Sequence, residues 1–577
     1  MKLILSLLLL LITHHSSLIT PTYATVDPLA VPNNKFGVHI IQATDSESKP
    51  AQDMVNSGGD WGYITVLIES GDLKEDKWQT FFNLLRRQHL VPIVRLATHP
   101  DGGRWVRPFE NQESAWAEFL DKLNWPTKNR YVTIYNEPNH ATEWGGTVDA
   151  RDYAKTLNKT IDALKAKNPD FFILNAGLDA SAPQKLPAYQ DEAQFLKEME
   201  SEVPGIFNKL DGWTSHSYPN PGFVGSPNSN GRGTIRTYLW EQEYLKSLSL
   251  NKNLPIFITE TGWKHAEGKK LDPSLPSVEE VAQNYQKAFE EAWNNSKIVA
   301  VTPFLLSYQE EPFDHFSFKR YTGASQNQKI LGTQYPEYYP QYQTLKDLPK
   351  TSGKPIQENK AKLVKGEFYS TLVAGQSYQI PLTFENTGQS IWNDGNEVSL
   401  VPSGDTDKLG LGKIPIPLIQ KVEPKGKYTF VLNIHSPDSG TYHVNFDLFQ
   451  DSKKVDMETL EYTTTVKSPV VLKIKSSLKW KEKFDGNYIL GVMGAIGTTL
   501  KTVTLGENGQ SKELSASDLL PDYEFDFTLQ KPFYKSKTIR QKVRSGLNEL
   551  DFGELQPDIG SAILNPKQLW KLLPLSN

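Results

Sequence analysis

Apolar residues in the first part of the chain group into eight short runs that alternate with amphipathic stretches. The runs are KFGVHII (35–41), WGYITVLI (61–68), VPIVRLAT (91–98), YVTIYNEPN (131–139), FFILNAGLD (171–179), DGWTSHSYPN (211–220), LPIFITETGW (254–263) and IVAVTPFLLSY (298–308). The stretches between them, such as 76–88 and 150–168, place apolar residues at helical spacing. Strands separated by helices run parallel, so eight such units predict a closed (β/α)8 barrel over residues 33–348. An open doubly wound sheet is the alternative, but the first run lacks the glycine-rich turn that this fold usually carries.

The pattern changes after residue 348, where the helical spacing stops. Residues 349–360 are polar and are predicted to form a linker. Beyond them, short alternating runs are separated by Gly, Pro, Asn and Asp, which is typical of β-sandwiches. A break near Ser468-Pro469 predicts two such units, at 361–467 and 468–577. The predicted fold class is therefore α/β, a TIM barrel followed by two all-β sandwich domains.

Composition and charge exclude some functions. The 577 residues carry a formal net charge of -5 and no cysteine. Because phosphate binding needs clustered Lys and Arg, nucleic acid is not expected as a partner. Disulfides cannot form, so the stability of the chain must come from its cores.

The first residues resemble a secretory signal peptide. One Lys precedes an apolar run, and small side chains lead up to Ala24. We therefore expect residues 1–24 to be cleaved and the protein to be secreted or held at the cell surface. The alternative is an uncleaved membrane anchor, although the run is short for a bilayer span. No second stretch is apolar enough to cross a membrane, so no stable membrane insertion is expected.

Two of the strand-like runs end in a glutamate. Glu137 ends the fourth run and Glu260 the seventh. The C-terminal ends of barrel strands form the reactive face, so both carboxylates are expected at the mouth of the barrel. Paired carboxylates are what glycoside hydrolysis requires, since one protonates the leaving oxygen and the other attacks the anomeric carbon or activates water. The alternative is that both glutamates belong to structural ion pairs at the rim.

The motifs NEP (136–138) and ITETGW (258–263) resemble those of the large clan of retaining (β/α)8 glycoside hydrolases. The resemblance implies that Glu137 is the general acid/base, that Glu260 is the nucleophile and that Asn136 donates to the sugar 2-hydroxyl. The activity it implies is hydrolysis of a β-linked glycan by double displacement. Long loops after the third and sixth strands suggest an endo mode. The alternative function is a noncatalytic glycan-binding or surface-attachment protein on a silent barrel.

Further candidates lie on the same predicted rim. The resemblance implies that His216 and Tyr218, at the end of the sixth run, orient the two glutamates; a core position is the alternative for His216. His39 is a candidate for contact with substrate hydroxyls or for packing. Arg95 lies in the third run, whereas the clan usually places its arginine on the second. We therefore expect Arg95 either to line the pocket or to form an ion pair at the rim.

Aromatic residues after several strands are candidate platforms for sugar rings, because a rigid aromatic face gives apolar area at little entropic cost. Packing in the core is the alternative for each of the tryptophans, which are Trp144, Trp263 and Trp105. The clan often has a tryptophan at the end of strand eight. This sequence offers Phe304 and Tyr308 there.

Neither a metal nor a cofactor is expected. The sequence has no HExxH motif and no GxSxG elbow. The expected partner is an oligo- or polysaccharide substrate.

FENTGQSIW (384–392) resembles the Ig-like domain of autophagy cargo receptors, and the last unit resembles carboxypeptidase-regulatory-like sandwiches. These resemblances imply spacer or attachment modules, and a cell-surface or extracellular polysaccharide is one partner that they would fit.

Overall fold

Eight parallel strands form the centre of the first part of the chain. The computed structural model describes residues 25–323, 336–494 and 497–560, so the expected signal segment 1–24 lies outside the described residues. The strands are β1 (Gly37–Ile40), β2 (Gly62–Glu69), β3 (Leu90–Ala97), β4 (Arg130–Thr133), β5 (Phe171–Leu174), β6 (Trp213–His216), β7 (Ile256–Glu260) and β8 (Ile298–Val301).

The strands pair in chain order. One sheet has the order β1-β2-β3-β4-β5, and a second has β8-β7-β6. Single parallel bridges, Phe36 to Val301 and Leu174 to Gly212, join the two sheets at both edges. The ring is therefore closed, in agreement with the predicted (β/α)8 barrel. Both faces of β1 are buried, which explains why the barrel strands form nearly continuous apolar runs.

Helices follow the strands along the chain. They are α1 (Asp45–Val55), α2 (Glu75–Arg87), α3 (Gln112–Lys122), α4 (Ala150–Lys167), α5 (Glu192–Glu202), α6 (Thr237–Ser247), α7 (Val278–Lys287) and α8 (Pro340–Asp347). In α4, Tyr153, Leu157 and Leu164 recur at helical spacing and are buried. Asp149 caps this helix by accepting a hydrogen bond from the backbone N–H of Asp152 at 3.0 Å.

Short elements connect the regular ones. Two strands of two residues each, Pro100–Asp101 and Arg104–Trp105, form a hairpin after β3. Single turns of 3-10 helix occur at Ala141–Glu143, Ile206–Lys209 and Asp314–Phe316, and a π-helical turn at Ala288–Ala292 continues α7. The turn at Ala141–Glu143 comes directly after β4 and enters the site described below.

The first unit extends beyond the predicted end of the barrel. The chain divides into a unit that runs to Glu358 and includes Gly388–Ile391, and a unit that comprises the remainder. Ser352 bridges Asp60, and the backbone N–H of Lys128 donates to the carbonyl of Ile356 at 2.8 Å. Most of the predicted linker 349–360 is therefore hydrogen-bonded to the barrel. The reason is that backbone groups pair regardless of how polar the side chains are.

The second unit is made of β-strands. They are β9 (Ala361–Lys365), β10 (Thr371–Val373), β11 (Ser377–Asn386), β12 (Val398–Gly404), β13 (Ile414–Pro415), β14 (Lys427–His435), β15 (Gly440–Gln450), β16 (Lys453–Lys454), β17 (Leu460–Lys467), β18 (Val470–Leu478), β19 (Gly486–Gly494), β20 (Gly497–Leu505), β21 (Leu514–Ser515), β22 (Glu524–Gln530), β23 (Lys537–Lys542) and β24 (Gly546–Leu555), with one helical turn at Thr406–Leu409.

Two separate apolar cores lie within this unit. One draws its buried residues from 361–466 and includes Trp392, and the other draws them from 470–555. The change from one core to the other coincides with the predicted break at Ser468-Pro469. The boundaries of the two sandwich domains and their family resemblances stay predictions. Among the described residues, no helix combines the length and the apolar character that a membrane span requires.

Candidate active site

The two predicted catalytic glutamates lie at the C-terminal ends of their strands. Glu260 is the last residue of β7, and Glu137 follows β4 at the fourth position after Thr133. The backbone turns sharply before Glu137, because Tyr135 has a φ of 68° and Glu137 a φ of 28°. Positive φ values at residues other than glycine are costly and tend to occur at functional sites. The N–H of Glu137 donates to the carbonyl of Gly177 at 3.0 Å, which fixes the turn to the segment after β5.

Gly177 also makes room for a ring. A Cβ atom at this position would lie 2.1 Å from the side chain of His216, the last residue of β6. Any larger residue would therefore push the imidazole away from the two glutamates. Sequence reasoning did not single out this glycine.

Glu260 is buried and surrounded by hydrogen-bond donors. Its Oε1 accepts a hydrogen bond from Arg95 Nη1 at 3.0 Å, and its Oε2 accepts one from the hydroxyl of Tyr218 at 3.1 Å. Burial alone would raise the pKa of Glu260. The charges of His216 and Arg95 together with the Tyr218 hydrogen bond outweigh burial, so the pKa is lowered and the group is held ionised.

Glu137 has a different environment. Its side chain keeps 19% of its surface exposed, and its Oε1 lies 2.8 Å from Nδ1 of His216. The same Nδ1 lies 3.8 Å from Oε2 of Glu260. Burial lowers the pKa of His216, but the charges of Glu260 and Glu137 and the Glu137 hydrogen bond outweigh burial and raise it. His216 therefore binds a proton more readily than a free imidazole and lies between the two carboxylates.

His216 and Tyr218 each contact a glutamate and are themselves almost fully buried. Their role in orienting the glutamates stays a prediction. Burial and then the charge of Glu260 raise the pKa of Tyr218 well above its usual range, so the phenol keeps its proton and acts as a donor.

His39 does not line open space. Its side chain is 0% exposed, Nδ1 lies 3.7 Å from Oε1 of Glu260, and the ring packs edge to face on Phe304. Burial lowers its pKa to about 3, so it is neutral. Of the two roles that the sequence left open for His39, this burial favours packing. Arg95 is bound to Glu260 and also lines a cavity, so both of its predicted roles meet at one position.

Two of the three tryptophans cannot serve as sugar platforms. The rings of Trp144 and Trp263 are each 1% exposed. Trp144 packs against Tyr135 and Tyr153 and donates from Nε1 to Asp152 at 2.9 Å. Trp263 likewise packs against aromatic rings, those of Tyr285 and Trp293.

Trp144 and Trp263 are buried because a residue that follows a barrel strand can turn its ring toward the helices as readily as toward the mouth of the barrel. Trp105 is partly exposed and lines the same cavity as Arg95. At the end of β8, Phe304 is 9% exposed and packs on Phe313, which is 40% exposed. Trp105 and Phe313 therefore keep part of their rings exposed, whereas Phe304 is buried.

Asn136 is half-buried, and its amide contacts a residue that the sequence analysis missed. Its Nδ2 donates to Oε2 of Glu143 at 3.2 Å. Glu143 is the last residue of the 3-10 turn after β4. No periodicity marks this position in the sequence, and the only signal was its closeness to the NEP motif.

One metal-like grouping occurs in the described residues. Ligand atoms of Glu137, His216 and Glu260 all lie within 4.8 Å of one another. A divalent cation there would face the Arg95 guanidinium, which is 3.0 Å from Glu260, and would compete with a proton at His216, whose pKa is raised by the two glutamates. These charges favour acid–base chemistry over metal binding at this cluster.

Two carboxylates of unlike environment on the rim of a (β/α)8 barrel form the arrangement that cleavage of a glycosidic bond requires. Residues 96–301 match the model of the family described as Cellulase (glycosyl hydrolase family 5). The matched segment contains both glutamates and supports a glycoside hydrolase domain with a carbohydrate substrate. The match spans well under half of the chain.

Solved structures with a similar course of the chain include three glycoside hydrolases. A GH5_18 variant from Streptomyces cattleya in complex with Manβ1-4GlcNAc has 13% identity and a TM-score of 0.38, over 59% of this chain and 84% of that one. A family 39 glycoside hydrolase from Bacteroides cellulosilyticus has 12% identity and a TM-score of 0.37, over 71% and 82%.

A family 30 subfamily 8 xylanase from Clostridium acetobutylicum has 12% identity and a TM-score of 0.33, over 70% and 98%. At such low TM-scores these likenesses carry no argument about the reaction. No curated protein is significantly similar to the chain.

Proposed function

We propose that the protein is an exported retaining glycoside hydrolase that cleaves β-linked glycans by double displacement, with Glu137 as acid/base and Glu260 as nucleophile. The observation that carries the proposal is the separation and asymmetry of the two carboxyl groups. Oxygens of Glu137 and Glu260 lie within 4.8 Å of each other. Retaining enzymes hold the two groups about 5–5.5 Å apart, whereas inverting enzymes need roughly 6.5–9.5 Å to admit a water.

The environments of the two carboxyl groups support these roles. Glu260 is held ionised by Arg95 and Tyr218, as an attacking carboxylate must be. Glu137 is the more exposed of the two and lies beside His216, where it can exchange a proton with a leaving group and later with water. Both residues sit at the level where substrate would enter the barrel.

The reaction then proceeds in two displacements. In the first, an oxygen of Glu260 bonds to the anomeric carbon while the glycosidic bond breaks and Glu137 gives its proton to the leaving oxygen. In the second, Glu137 takes a proton from water as that water attacks the same carbon, and the ester bond to Glu260 breaks. Two inversions leave the configuration of the sugar unchanged.

Support for the remaining roles comes from position. Asn136 is placed beside Glu137 to bind a substrate hydroxyl, and Arg95 lines the cavity next to it. His216 and Tyr218 hold the glutamates rather than the sugar. The endo mode, export through residues 1–24 and attachment through the C-terminal domains are parts of the proposal that rest on the sequence alone.

The test uses the full chain on a panel of soluble β-linked oligosaccharides, with sizing of the products and NMR of the first anomer released. We expect cleavage with the β anomer appearing first. Release of the α anomer would overturn the retaining mechanism. Binding of an oligosaccharide without cleavage would instead favour the glycan-binding alternative.

Variants then separate the two roles. Glu260→Ala is expected to fail on every substrate, because no covalent intermediate can form. Glu137→Ala is expected to lose roughly 10²–10⁴-fold on natural linkages. With an activated aryl glycoside it should still form the glycosyl-enzyme and show a burst. Swapped behaviour of the two variants would contradict the assignment, and Glu118→Ala, on the exposed side of α3, is the control.

A further inference from the structure

Part of the segment after β5 forms a wall beside the proposed acid/base group. This wall, residues 185–190, is fastened by its backbone to the residues that follow β4. The N–H of Ala141 donates to the carbonyl of Ala188 at 2.8 Å, and His140 and Tyr189 pair as an isolated antiparallel bridge. The side chains on the wall are therefore carried by a backbone that is held at several points.

Tyr189 offers an exposed aromatic ring on this wall. The residue is 39% exposed, although its backbone N–H and carbonyl are both hydrogen-bonded to Lys185, at 2.9 Å and 3.0 Å. The ring packs edge to face with the imidazole of His140, with centroids 4.9 Å apart. Its hydroxyl forms no hydrogen bond with the residues that the structure describes. A tyrosine that is held in place and left exposed gives a ligand apolar area at little entropic cost.

His140 is held in one orientation. Its backbone N–H donates to the carbonyl of Glu137 at 2.8 Å, and its Nε2 lies 2.8 Å from Oδ2 of Asp179. Burial would raise the pKa of Asp179, but the hydrogen bonds from His140 and from the N–H of Ser181 outweigh burial and lower it. The Asp179 carboxylate therefore accepts the hydrogen bond, and Nε2 donates it.

The second ring nitrogen of His140 is open. Within the described part of the chain, Nδ1 has no hydrogen-bond partner, and it is not among the buried polar atoms that lack one, so it is accessible to solvent. A hydroxyl group can both donate and accept. A sugar hydroxyl can therefore bind Nδ1 whether or not this nitrogen carries a proton.

The proposed reaction decides which part of a glycan reaches the wall. In a double displacement, Glu260 attacks the anomeric carbon from one side, and the leaving oxygen departs on the other side, where Glu137 supplies the proton. The sugar that carries the leaving oxygen therefore lies closer to Glu137 than to Glu260. The wall is fastened to the residues that follow Glu137, so this sugar is the one that it would meet.

We propose that Tyr189 and His140 bind the sugar ring of the leaving group, with the ring of Tyr189 as the stacking surface and Nδ1 of His140 as the partner of one hydroxyl. The proposal rests on the proposed function and deepens it. It assigns a preference for substrates whose leaving group is itself a sugar over substrates whose leaving group has no ring.

The test compares kcat/KM for two substrates that share the same glycone. One is a β-linked oligosaccharide that the full chain cleaves, and the other is the corresponding β-glycosyl fluoride, whose leaving group has no ring. Tyr189→Ala should lower the value for the oligosaccharide by roughly 3- to 10-fold, the size of one aromatic contact, and leave the fluoride unchanged. Tyr189→Phe keeps the ring and should keep most of the preference.

Tyr369→Ala is the matched control, and it should change neither value. Tyr369 is 46% exposed in the second unit and packs edge to face with Tyr378 at a centroid distance of 6.0 Å. An equal loss on both substrates in Tyr189→Ala would overturn the proposal, because a merely structural change lowers both. An unaltered value for the oligosaccharide would overturn it as well.

A second measurement does not need turnover. Carbon-13 NMR of the Tyr and His rings, assigned with Tyr189→Phe and His140→Gln, should show the Tyr189 and His140 signals shifting when cellobiose, laminaribiose or β-1,4-mannobiose is added. Signals that stay in place with all three disaccharides would contradict the proposal. If the chain cleaves neither the oligosaccharide nor the fluoride, the proposed function fails, while this titration still decides whether the wall binds a sugar.

Discussion

Tyr218→Phe tests how Glu260, the proposed nucleophile, is held ionised. The substitution removes one hydroxyl, which donates to Oε2 of Glu260 at 3.1 Å. The ring itself packs edge to face on Phe223 and Phe316, with centroid distances of 5.0 Å and 6.0 Å. Phenylalanine keeps these contacts, so the hydrogen bond is the only interaction that the change removes.

The size of the effect follows from that bond. A hydrogen bond to a charged group contributes about 1.5–3 kcal/mol. One pKa unit corresponds to about 1.4 kcal/mol, so the pKa of Glu260 should rise by about 1–2 units. Glu260 attacks only when ionised, and its pKa in the unaltered chain is lowered. The acidic limb of kcat/KM should therefore move to higher pH by the same 1–2 units, with a smaller change near neutral pH.

The assay is the rate of cleavage of a soluble β-linked oligosaccharide from acidic to neutral pH. The matched control is Tyr238→Phe, which removes a buried hydroxyl that donates to the carbonyl of Ala292 at 2.6 Å. It should lower stability without moving the limb. An acidic limb that stays in place for Tyr218→Phe would refute the reasoning. A lower plateau with an unmoved limb would show that the phenol acts on the transition state instead.

Three further outcomes are expected. Glu192 and Glu241 are both fully buried, and burial first of all raises the pKa of each above 4.5. Above pH 4.5 the folded chain then keeps protons that the unfolded chain releases, so the free energy of unfolding falls as the pH rises from about 4.5. Glu241→Gln should reduce that slope by up to about 1.4 kcal/mol per pH unit in urea unfolding, and an unaltered slope would contradict the shift. Trp144→Ala should cost about 3–5 kcal/mol of unfolding free energy, whereas Trp480→Ala, at a residue that is 47% exposed, should cost little; a small loss at Trp144 would show that its ring is not part of the core. EDTA should change neither the melting temperature nor the rate, and a melting shift of several degrees would bring back the metal interpretation of the cluster.

The barrel strands could be predicted because their signal is local. The run WGYITVLI predicts a strand, and β2 spans Gly62–Glu69. The predicted helices at 76–88 and 150–168 differ from α2 and α4 by a single residue at most ends. Burial on both faces of parallel strands leaves continuous apolar runs, which survive without knowledge of the tertiary contacts.

The directions of single side chains could not be predicted. Trp144 follows a strand as a rim residue would, yet its indole turns toward Tyr153 in α4. Its direction depends on a contact with a helix that lies later in the chain. His39 has the right strand and the right end of the barrel, but its side chain is fully buried, with Nδ1 3.7 Å from Oε1 of Glu260. Strand alternation decides such positions, and a one-residue difference reverses them.

Glu143 was missed for a different reason. It is one of 67 acidic residues, and no spacing separates it from those on the surface. Its position depends on a turn that begins at His140, whose N–H donates to the carbonyl of Glu137 at 2.8 Å. A turn of this kind is set by backbone hydrogen bonds, which leave little trace in side-chain periodicity. Sites built on turns are therefore found from the structure, while sites at strand ends are found from the sequence.

The position of His216 follows from the movement of charge in the proposed reaction. Before the glycosidic bond breaks, Glu260 is ionised and Glu137 is neutral; in the covalent intermediate Glu260 is an uncharged ester and Glu137 is ionised. The negative charge thus passes from one carboxyl group to the other. His216 Nδ1 lies 3.8 Å from Glu260 Oε2 and 2.8 Å from Glu137 Oε1, so the positive charge that His216 carries when protonated is close to both locations. Because β6 lies beside β7 and its end reaches toward Glu137, one cation can stabilise the charge before and after the step without moving. A histidine on β6 meets this requirement, whereas Arg95 in β3 contacts Glu260 and serves only the first of the two states.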